Sequence, residues 1–492
     1  MSIQREKIVR FARKVGFGFR PDEDFPSDPF NWIDSQLAEP RYYRGIASLA
    51  SPTIVSEWPS SFNLTLKDRF NIAWDHRTKI RELEGDKSLS ADMIKTKRRE
   101  YELNHLPNWH DETRFYHRAI YAKDQVRQRL LHFWINHFFV SGDGPGSNVL
   151  LADHIERAIE VSLDGSFTQM VYNAVTSPAM LKYLDNTENI GENSKKAKID
   201  RSKNKFSGLN DNLAREVLEL HTVSPSMGYT ENDIRAMAKI LSGWGLSPND
   251  TKRRGSAVEN WYSPFEKDKA QRGFVEIFGM KLGSQFGTSE KGLANVLKYL
   301  SEHESSRDHL CLKLCIHFIS DKPPKEAVDR VKSVWSETNG DLPSVHKQVL
   351  VETLGSMDTH SKFLWPMTWA MQALRQSGAS LIDGWDDVNN NSHPFVSSAN
   401  RFSREFGQGF FTQRKQPDGF PLVSEDWISP AHFERRLKFS LLIGRHGKPM
   451  LSALDLAEKL RIPDDDKSLI KRFLVPAEQW VALLCSRQLL EA

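Results

Sequence analysis

The sequence GLNDNLAREVLELHTVSPSMGYTENDIRAMAKILSGW, residues 208–244, predicts two helices joined by a turn. Most positions of the first helix are apolar, and its polar side chains share an arc of about 100° on a helical wheel. These polar residues are Asn212, Arg215, Glu216 and Glu219. Because a surface helix normally has a wider polar face, we expect this one to be buried on most sides.

The ends of both helices follow from residues with strong local preferences. The step Val223-Ser224-Pro225 should end the first helix near His221, because the residue before proline disfavours the helical conformation. Thr230, with Asp233 three residues later, matches a capping box and should begin the second helix. The segment is therefore a predicted helical hairpin, with Gly228-Tyr229 at its turn.

The polar stripe of the first helix has two interpretations. It is either a solvated face with an Arg215–Glu219 ion pair, or the lining of a site. Two carboxylates at Glu216 and Glu219 would have Cβ atoms about 5–6 Å apart. One would resist ionisation unless Arg215 or a metal ion lay nearby. The spacing does not decide between these interpretations.

Length and composition exclude several classes of protein. With 492 residues, 39% hydrophobic and 27% charged, the chain is long enough for one large or two ordinary globular domains. Its 67 basic and 64 acidic residues leave a net charge of +3, which does not favour a nucleic-acid partner. We find no apolar run of membrane-spanning length and no signal peptide, so we expect a cytoplasmic protein as the sequence stands.

A second helix, predicted over residues 124–140, places His137 at the centre of its apolar face. His137 is either a core histidine bonded to a backbone carbonyl or carboxylate, or a buried base or metal ligand. The pattern His309-x-Cys311-x3-Cys315-x-His317 resembles metal spacing. On a helix, however, the two histidines point away from the two cysteines, so the cysteines are expected in the core.

Helical periodicity dominates the rest of the chain, which predicts a mainly α protein. We expect a multi-helix orthogonal bundle with long irregular loops and at most a small β-hairpin. The predicted divisions are an N-terminal helical region (1–105), a central helical core with the site (106–245), an irregular flap or hairpin (246–290) and a C-terminal helical region (291–492). The last contains a loop-rich segment at 384–429.

Several short motifs together resemble a family, the bacterial domain of unknown function numbered eighteen hundred. They are Phe133-Trp134-x-Asn136-His137-Phe138, Pro178-Ala179-Met180-Leu181, Leu209-Asn210-x-Asn212-x-Ala214-Arg215-Glu216-x-x-Glu219-Leu220-His221-Thr222, Gly243-Trp244, Lys313-Leu314 and Asp418-Gly419-Phe420. The resemblance implies a largely helical bacterial protein, often exported and often encoded beside a sulfatase-like partner. It implies no established reaction.

The chain departs from this family pattern at two places. Lys267-Asp268 stands where a His-Asp pair is usual, and Ser177 stands where a histidine often precedes Pro-Ala-Met. The usual exported leader is also absent. If those histidines serve metal binding or proton transfer in relatives, the activity is lost or altered here.

These observations lead to one functional hypothesis and one alternative. The first is a hydrolase or transferase acting on an envelope glycan or related polymer, with Glu216 as general acid/base and Glu219, held ionised by Arg215, as nucleophile or metal-binding carboxylate. The other predicted site residues are His137, His221, Asn136, Asn212, Tyr229 and Trp244. A divalent metal ion held by Glu216, Glu219 and His137 is an open possibility. The alternative is a non-catalytic scaffold or partner-binding protein whose stripe is a buried salt-bridge network.

Overall fold

A computed structural model of the protein describes residues 2–38, 64–142, 147–205, 207–248, 262–284, 287–379, 403–411 and 416–492. This part of the chain is mainly helical, as predicted. Parts of two predicted segments lie outside the described residues, namely 249–261 and 285–286 of the flap and 384–402 and 412–415 of the loop-rich segment. Among the described residues, we find no helical segment that combines the length and the hydrophobicity of a membrane span.

Within the described residues, the first half of the chain forms twelve α-helices. They are α1 (Ser2–Val15), α2 (Pro29–Ala38), α3 (Leu66–Gly85), α4 (Ala91–His105), α5 (Asn108–Tyr121), α6 (Gln125–His137), α7 (Ser147–Asp153), α8 (Phe167–Val175), α9 (Pro178–Tyr183), α10 (Lys195–Ser202), α11 (Asn212–Glu216) and α12 (Glu231–Leu241). Short 3₁₀ turns cover Glu160–Asp164, Asn186–Glu188 and Pro225–Met227.

Four short strands and the remaining helices follow. They are β1 (Trp244–Pro248), β2 (Tyr262–Phe265), β3 (Gly273–Ile277), β4 (Met280–Ser284), α13 (Glu290–Glu302), α14 (Glu304–Phe318), α15 (Lys325–Thr338), α16 (Leu342–Gly355), α17 (Pro366–Ser377), a 3₁₀ turn (Ser424–Trp427), α18 (Pro430–His446), α19 (Ala453–Lys459), α20 (Asp464–Lys471), α21 (Pro476–Leu484) and α22 (Arg487–Leu490).

The strands form two separate antiparallel pairs, β1 with β2 and β3 with β4. One small hairpin was the predicted maximum, so the second pair is additional. Phe278 and Gly279 join β3 to β4, both with positive φ (50° and 74°). A two-residue turn in which both φ angles are positive has a twist that matches that of antiparallel strands. Glycine adopts a positive φ without strain, which suits position 279.

The hairpin of residues 208–244 forms as predicted, with one change in its first helix. Thr230 and Asp233 make the reciprocal bonds of a capping box at the start of α12. After Glu216, however, the chain continues as a π-helical turn from Val217 to His221. The Thr222 hydroxyl donates to the Val217 carbonyl at 2.6 Å, five residues back, which satisfies an acceptor of this wider turn.

Helix α6 lies at the centre of the protein. Every one of its residues is buried, including its charged and polar ones. It packs against α5, α2 and a second π-helical segment, His154–Ile159. Its apolar side belongs to one hydrophobic cluster that extends from Ile8 to Ala492. The polar side chains of α6 must therefore find their partners inside the protein.

Four arginines of α3, α5 and α6 meet carboxylates in the interior. The pairs are Arg69–Asp111, Arg114–Glu156, Arg118–Glu160 and Arg127–Asp164. In the first pair both side chains are 0% exposed, and two hydrogen bonds of 2.7 and 2.9 Å join them. The Arg69–Asp111 pair connects α3 to α5, and the other three pairs connect α5 and α6 to the segment His154–Asp164.

Candidate functional site

Glu216 and Glu219 lie at the junction between α11 and the π-helical turn, and both are half-buried. Within the described residues neither carboxylate has a hydrogen-bond or ion-pair partner. Partial burial raises the pKa of Glu216 to about 7, and the nearby charges of Glu219 and Asp418 add to the shift. A carboxyl group with this pKa is poised to give or take a proton near neutral pH.

Arg215 does not pair with Glu219, so this part of the prediction is wrong. Its guanidinium forms a bidentate pair with Glu231 at 3.0 Å and also reaches Asp211 at 3.3 Å. The Arg215 side chain is 37% exposed and that of Glu231 is 77% exposed. The arginine side chain bridges the two helices of the hairpin because Glu231 begins the second one. It therefore leaves Glu219 without a direct cationic partner.

His137 is buried, and both of its ring nitrogens are engaged. Nε2 lies 3.1 Å from the carbonyl of His221, which can only accept, so Nε2 carries the proton. Nδ1 is then the acceptor for the Lys313 ammonium at 3.0 Å. Burial lowers the pKa of His137 well below its usual value, and Lys313 adds to the shift, so the ring is neutral. The backbone-bonded core interpretation of His137 agrees with this geometry.

Lys313 belongs to the same cluster, although the sequence analysis did not select it. Its side chain is half-buried, and burial lowers the pKa of its amine to about 8, an effect that the charge of Asp418 partly offsets. Within the described residues no carboxylate forms an ion pair with it. Asp418 influences both Lys313 and Glu216, so the three groups form one electrostatic unit.

Asn136 positions the loop that carries Asp418. Its Nδ2 donates to the Phe420 carbonyl at 3.0 Å, and its Oδ1 accepts from the Phe420 amide at 2.7 Å. Gly419, which lies between Asp418 and Phe420, has φ of 72°. It lies so close to the Asn136 backbone that a side chain at this position would clash with it. Asn136 was predicted to bind substrate, but its amide is committed to this backbone contact.

The remaining predicted residues occupy different environments. Tyr229 is half-buried, and its pKa is raised by burial and by the charge of Glu219, so its hydroxyl stays neutral. Asn212 is exposed at the first position of α11. His221 is 0% exposed, and its ring packs 5.2 Å from Phe138. Trp244 is 2% exposed and packs against aromatic rings of the core, which leaves it no surface for a substrate.

The residues proposed as metal ligands do not form a metal site. His137 has no free ring nitrogen, because Nε2 donates to a carbonyl and Nδ1 accepts from Lys313. Across the described ranges, no group of three or more His, Cys, Asp or Glu side chains is arranged to hold a metal ion. The predicted core position of the cysteines is confirmed, since Cys311 and Cys315 are both fully buried.

The two positions that depart from the family pattern have other contacts. The Ser177 hydroxyl caps α9 by accepting from the Met180 amide and lies 2.7 Å from His154 Nδ1. Lys267 is exposed, and its neighbour Asp268 pairs with Lys195 at 3.0 Å. Neither position contributes a group to the cluster around Glu216.

A separate cleft of about 690 Å³ lies between the α3–α4 pair and the central core. Trp74, Arg77 and Arg81 line one wall, and Lys182 and Glu188 line the other. None of the predicted site residues contributes to it. The cleft is therefore a different concave feature from the surroundings of Glu216.

The low pKa of Lys313 predicts a pH dependence of stability. Its ordinary pKa is 10.5 and its folded value is about 8, so between these values the unfolded chain binds a proton that the folded chain has lost. The free energy of unfolding should therefore rise relative to Lys313→Met as the pH increases from 8 to 10.5. Urea unfolding across this range measures the difference. Lys267→Met, at an exposed position, is the control; an equal pH dependence in both variants would contradict the burial of Lys313.

Of the comparisons with known proteins, only the one with family models found a match. No curated protein and no solved structure matches the chain. A family model described as a protein of unknown function (DUF1800) matches residues 10–490, and the chain therefore belongs to the DUF1800 family.

Proposed function

We propose that the protein is a hydrolase or transferase that acts on an envelope glycan, with Glu216 and Glu219 as its two catalytic carboxylates. The observation that carries this proposal is the state of Glu216. It is half-buried, lacks an ion-pair partner within the described chain, and has a pKa of about 7. The π-helical turn directly after it adds support, because such turns are frequent at functional sites.

Glu216 acts as the general acid in this mechanism. Its carboxyl proton passes to the glycosidic oxygen while the bond from that oxygen to the anomeric carbon breaks. The Glu219 carboxylate attacks the same carbon and forms a glycosyl ester. This retaining route requires the two carboxyl groups to lie about 5–5.5 Å apart, on opposite sides of the anomeric carbon.

The second half of the reaction distinguishes a hydrolase from a transferase. Glu216, now ionised, takes a proton from water or from a sugar hydroxyl, and the oxygen of that acceptor displaces Glu219 from the anomeric carbon. Tyr229 keeps its hydroxyl proton and can donate a hydrogen bond beside Glu219. The charge of Asp418 near Glu216 raises the pKa of Glu216 and so favours the protonated form of that residue.

The scaffold alternative receives less support from the geometry. It requires the polar stripe to be a buried salt-bridge network that fixes the register of the helices. Arg215 pairs instead with Glu231 at the surface, and within the described residues Glu216 and Glu219 have no ionic partner. Unpaired half-buried carboxylates reduce stability, so a purely structural role does not account for them.

Release of reducing ends from envelope polysaccharides tests the proposal. We expect the wild-type protein to release them from at least one polymer, with retention at the anomeric carbon as read by proton NMR of the first product. Glu219→Gln should abolish release, because glutamine cannot form the ester. Glu231→Gln, which changes a carboxylate on the same hairpin, should keep it. The proposal would be refuted if the wild-type protein released reducing ends from none of the envelope polysaccharides tested, or if Glu219→Gln released them as fast as the wild type.

A further inference from the structure

Arg129, two turns before His137 on α6, is a buried cation that has no counter-ion among the described residues. It is 2% exposed, and its Nε and Nη1 atoms are buried without a hydrogen-bond partner. No carboxylate of the described residues pairs with it. Burial lowers the pKa of Arg129 to about 9, so the guanidinium is still charged at pH 7. An isolated charge in a protein interior is strongly unfavourable unless an opposite charge compensates it.

The groups around Arg129 also lack hydrogen-bond acceptors. Its guanidinium carbon lies 5.8 Å from the ring of Trp365 and 6.0 Å from that of Phe318. The His317 ring packs 4.7 Å from Trp365. The indole Nε1 of Trp365 and both ring nitrogens of His317 are buried without partners. Burial and the charge of Arg129 keep His317 neutral by lowering its pKa, so its ring retains one N–H donor.

The N-terminus of α17 lies close to Arg129, because Trp365, whose ring the Arg129 guanidinium contacts, immediately precedes the helix. Trp365 makes no side-chain capping bond. The amide of Met367 donates to Gln408 Oε1 at 2.9 Å, while the Gln408 Nε2 donor is buried without a partner. The N-terminal end of a helix carries partial positive charge and favours anions. The nearby Lys362 and Asp321 already neutralise each other.

We propose that a small monovalent anion binds beside Arg129, between its guanidinium and the start of α17. One negative charge balances the charge of Arg129, and the apolar surroundings that Trp365 and Phe318 provide favour a compact, weakly hydrated ion such as chloride over a strongly hydrated one. The unpartnered N–H groups of Trp365 and Gln408 then have an acceptor. This site is independent of the carboxylates of the central hairpin.

Thermal unfolding of the full chain tests the anion site. Sodium chloride is titrated against sodium gluconate at constant ionic strength, since gluconate is too large for the site. The midpoint of the wild type should rise with chloride in a saturable manner, because a ligand that binds only the folded state stabilises it. Arg129→Met should lose this rise and, in gluconate, should unfold at the same temperature as the wild type or higher. The exposed Arg472→Met corrects for general salt effects.

Two results would overturn the proposal: a wild-type midpoint that is the same in both salts, or an unchanged chloride effect in Arg129→Met. Crystals soaked in sodium bromide provide a test that does not need a variant. An anomalous peak within hydrogen-bond distance of the Arg129 guanidinium is expected, and its absence at saturating bromide would equally refute the site.

Discussion

Replacement of Glu216 by glutamine is expected to lower the rate of glycan cleavage by about 100-fold or more, the usual contribution of a general acid. Glutamine keeps the shape of the side chain but cannot donate a proton to a leaving oxygen. Stability should not fall, because Glu216 has no ionic partner in the described chain to lose. At pH 8 stability should rise, since the wild type then buries an ionised carboxylate that burial and Glu219 disfavour.

Rates of reducing-end release, measured beside thermal midpoints, test this expectation. Glu231→Gln is the matched control, because it removes a carboxylate from the same hairpin without touching the proposed acid. A lower midpoint with unchanged cleavage in Glu216→Gln would favour a structural role for the residue and contradict the assignment.

Replacement of Arg69 by methionine is expected to cost about 3–5 kcal/mol of folding free energy, because it removes the bidentate partner of a buried carboxylate and leaves it only Arg114, at 3.9 Å. Arg69 and Asp111 are both 0% exposed, and Arg69 also donates to the Val149 carbonyl at 2.8 Å. The double variant Arg69→Met/Asp111→Leu should regain most of the loss, since it removes the uncompensated charge together with its partner.

Arg215→Met is the matched control for this experiment. Arg215 makes the same bidentate contact with a carboxylate, but its side chain is 37% exposed. An exposed pair contributes about 0–1 kcal/mol, so the two variants differ mainly in burial. Urea unfolding followed by tryptophan fluorescence compares them. Equal losses in Arg69→Met and Arg215→Met would contradict the assigned burial of the Arg69–Asp111 pair.

Local features of the fold were predictable because they depend on residues close in sequence. The capping box of Thr230 and Asp233 and the apolar face of α12 formed as expected. The π-helical turn from Val217 to His221 was not predictable from a wheel with a constant angle. It depends on which donors form hydrogen bonds with the carbonyl groups of the wider turn, such as the Thr222 hydroxyl with the Val217 carbonyl.

Only the part of the candidate site that lies on the hairpin of residues 208–244 was predictable from the sequence. His309, Lys313 and His317 recur every four residues on α14 and resemble a solvated stripe. In the folded chain Lys313 instead meets His137, 176 residues away in sequence. Asn136 meets Phe420 across 284 residues. Periodicity identifies a polar face, but it does not indicate which other element covers that face.

The pKa of Glu216 is the quantity that tests the functional account most directly. Carboxyl carbon-13 NMR of the glutamate-labelled protein can follow its titration, with Glu216→Gln used to assign the resonance. We predict a midpoint near pH 7, as partial burial and the charge of Glu219 require. A midpoint near the ordinary value of 4.5 would mean that the carboxylate is well solvated, and would contradict its role as the proton donor.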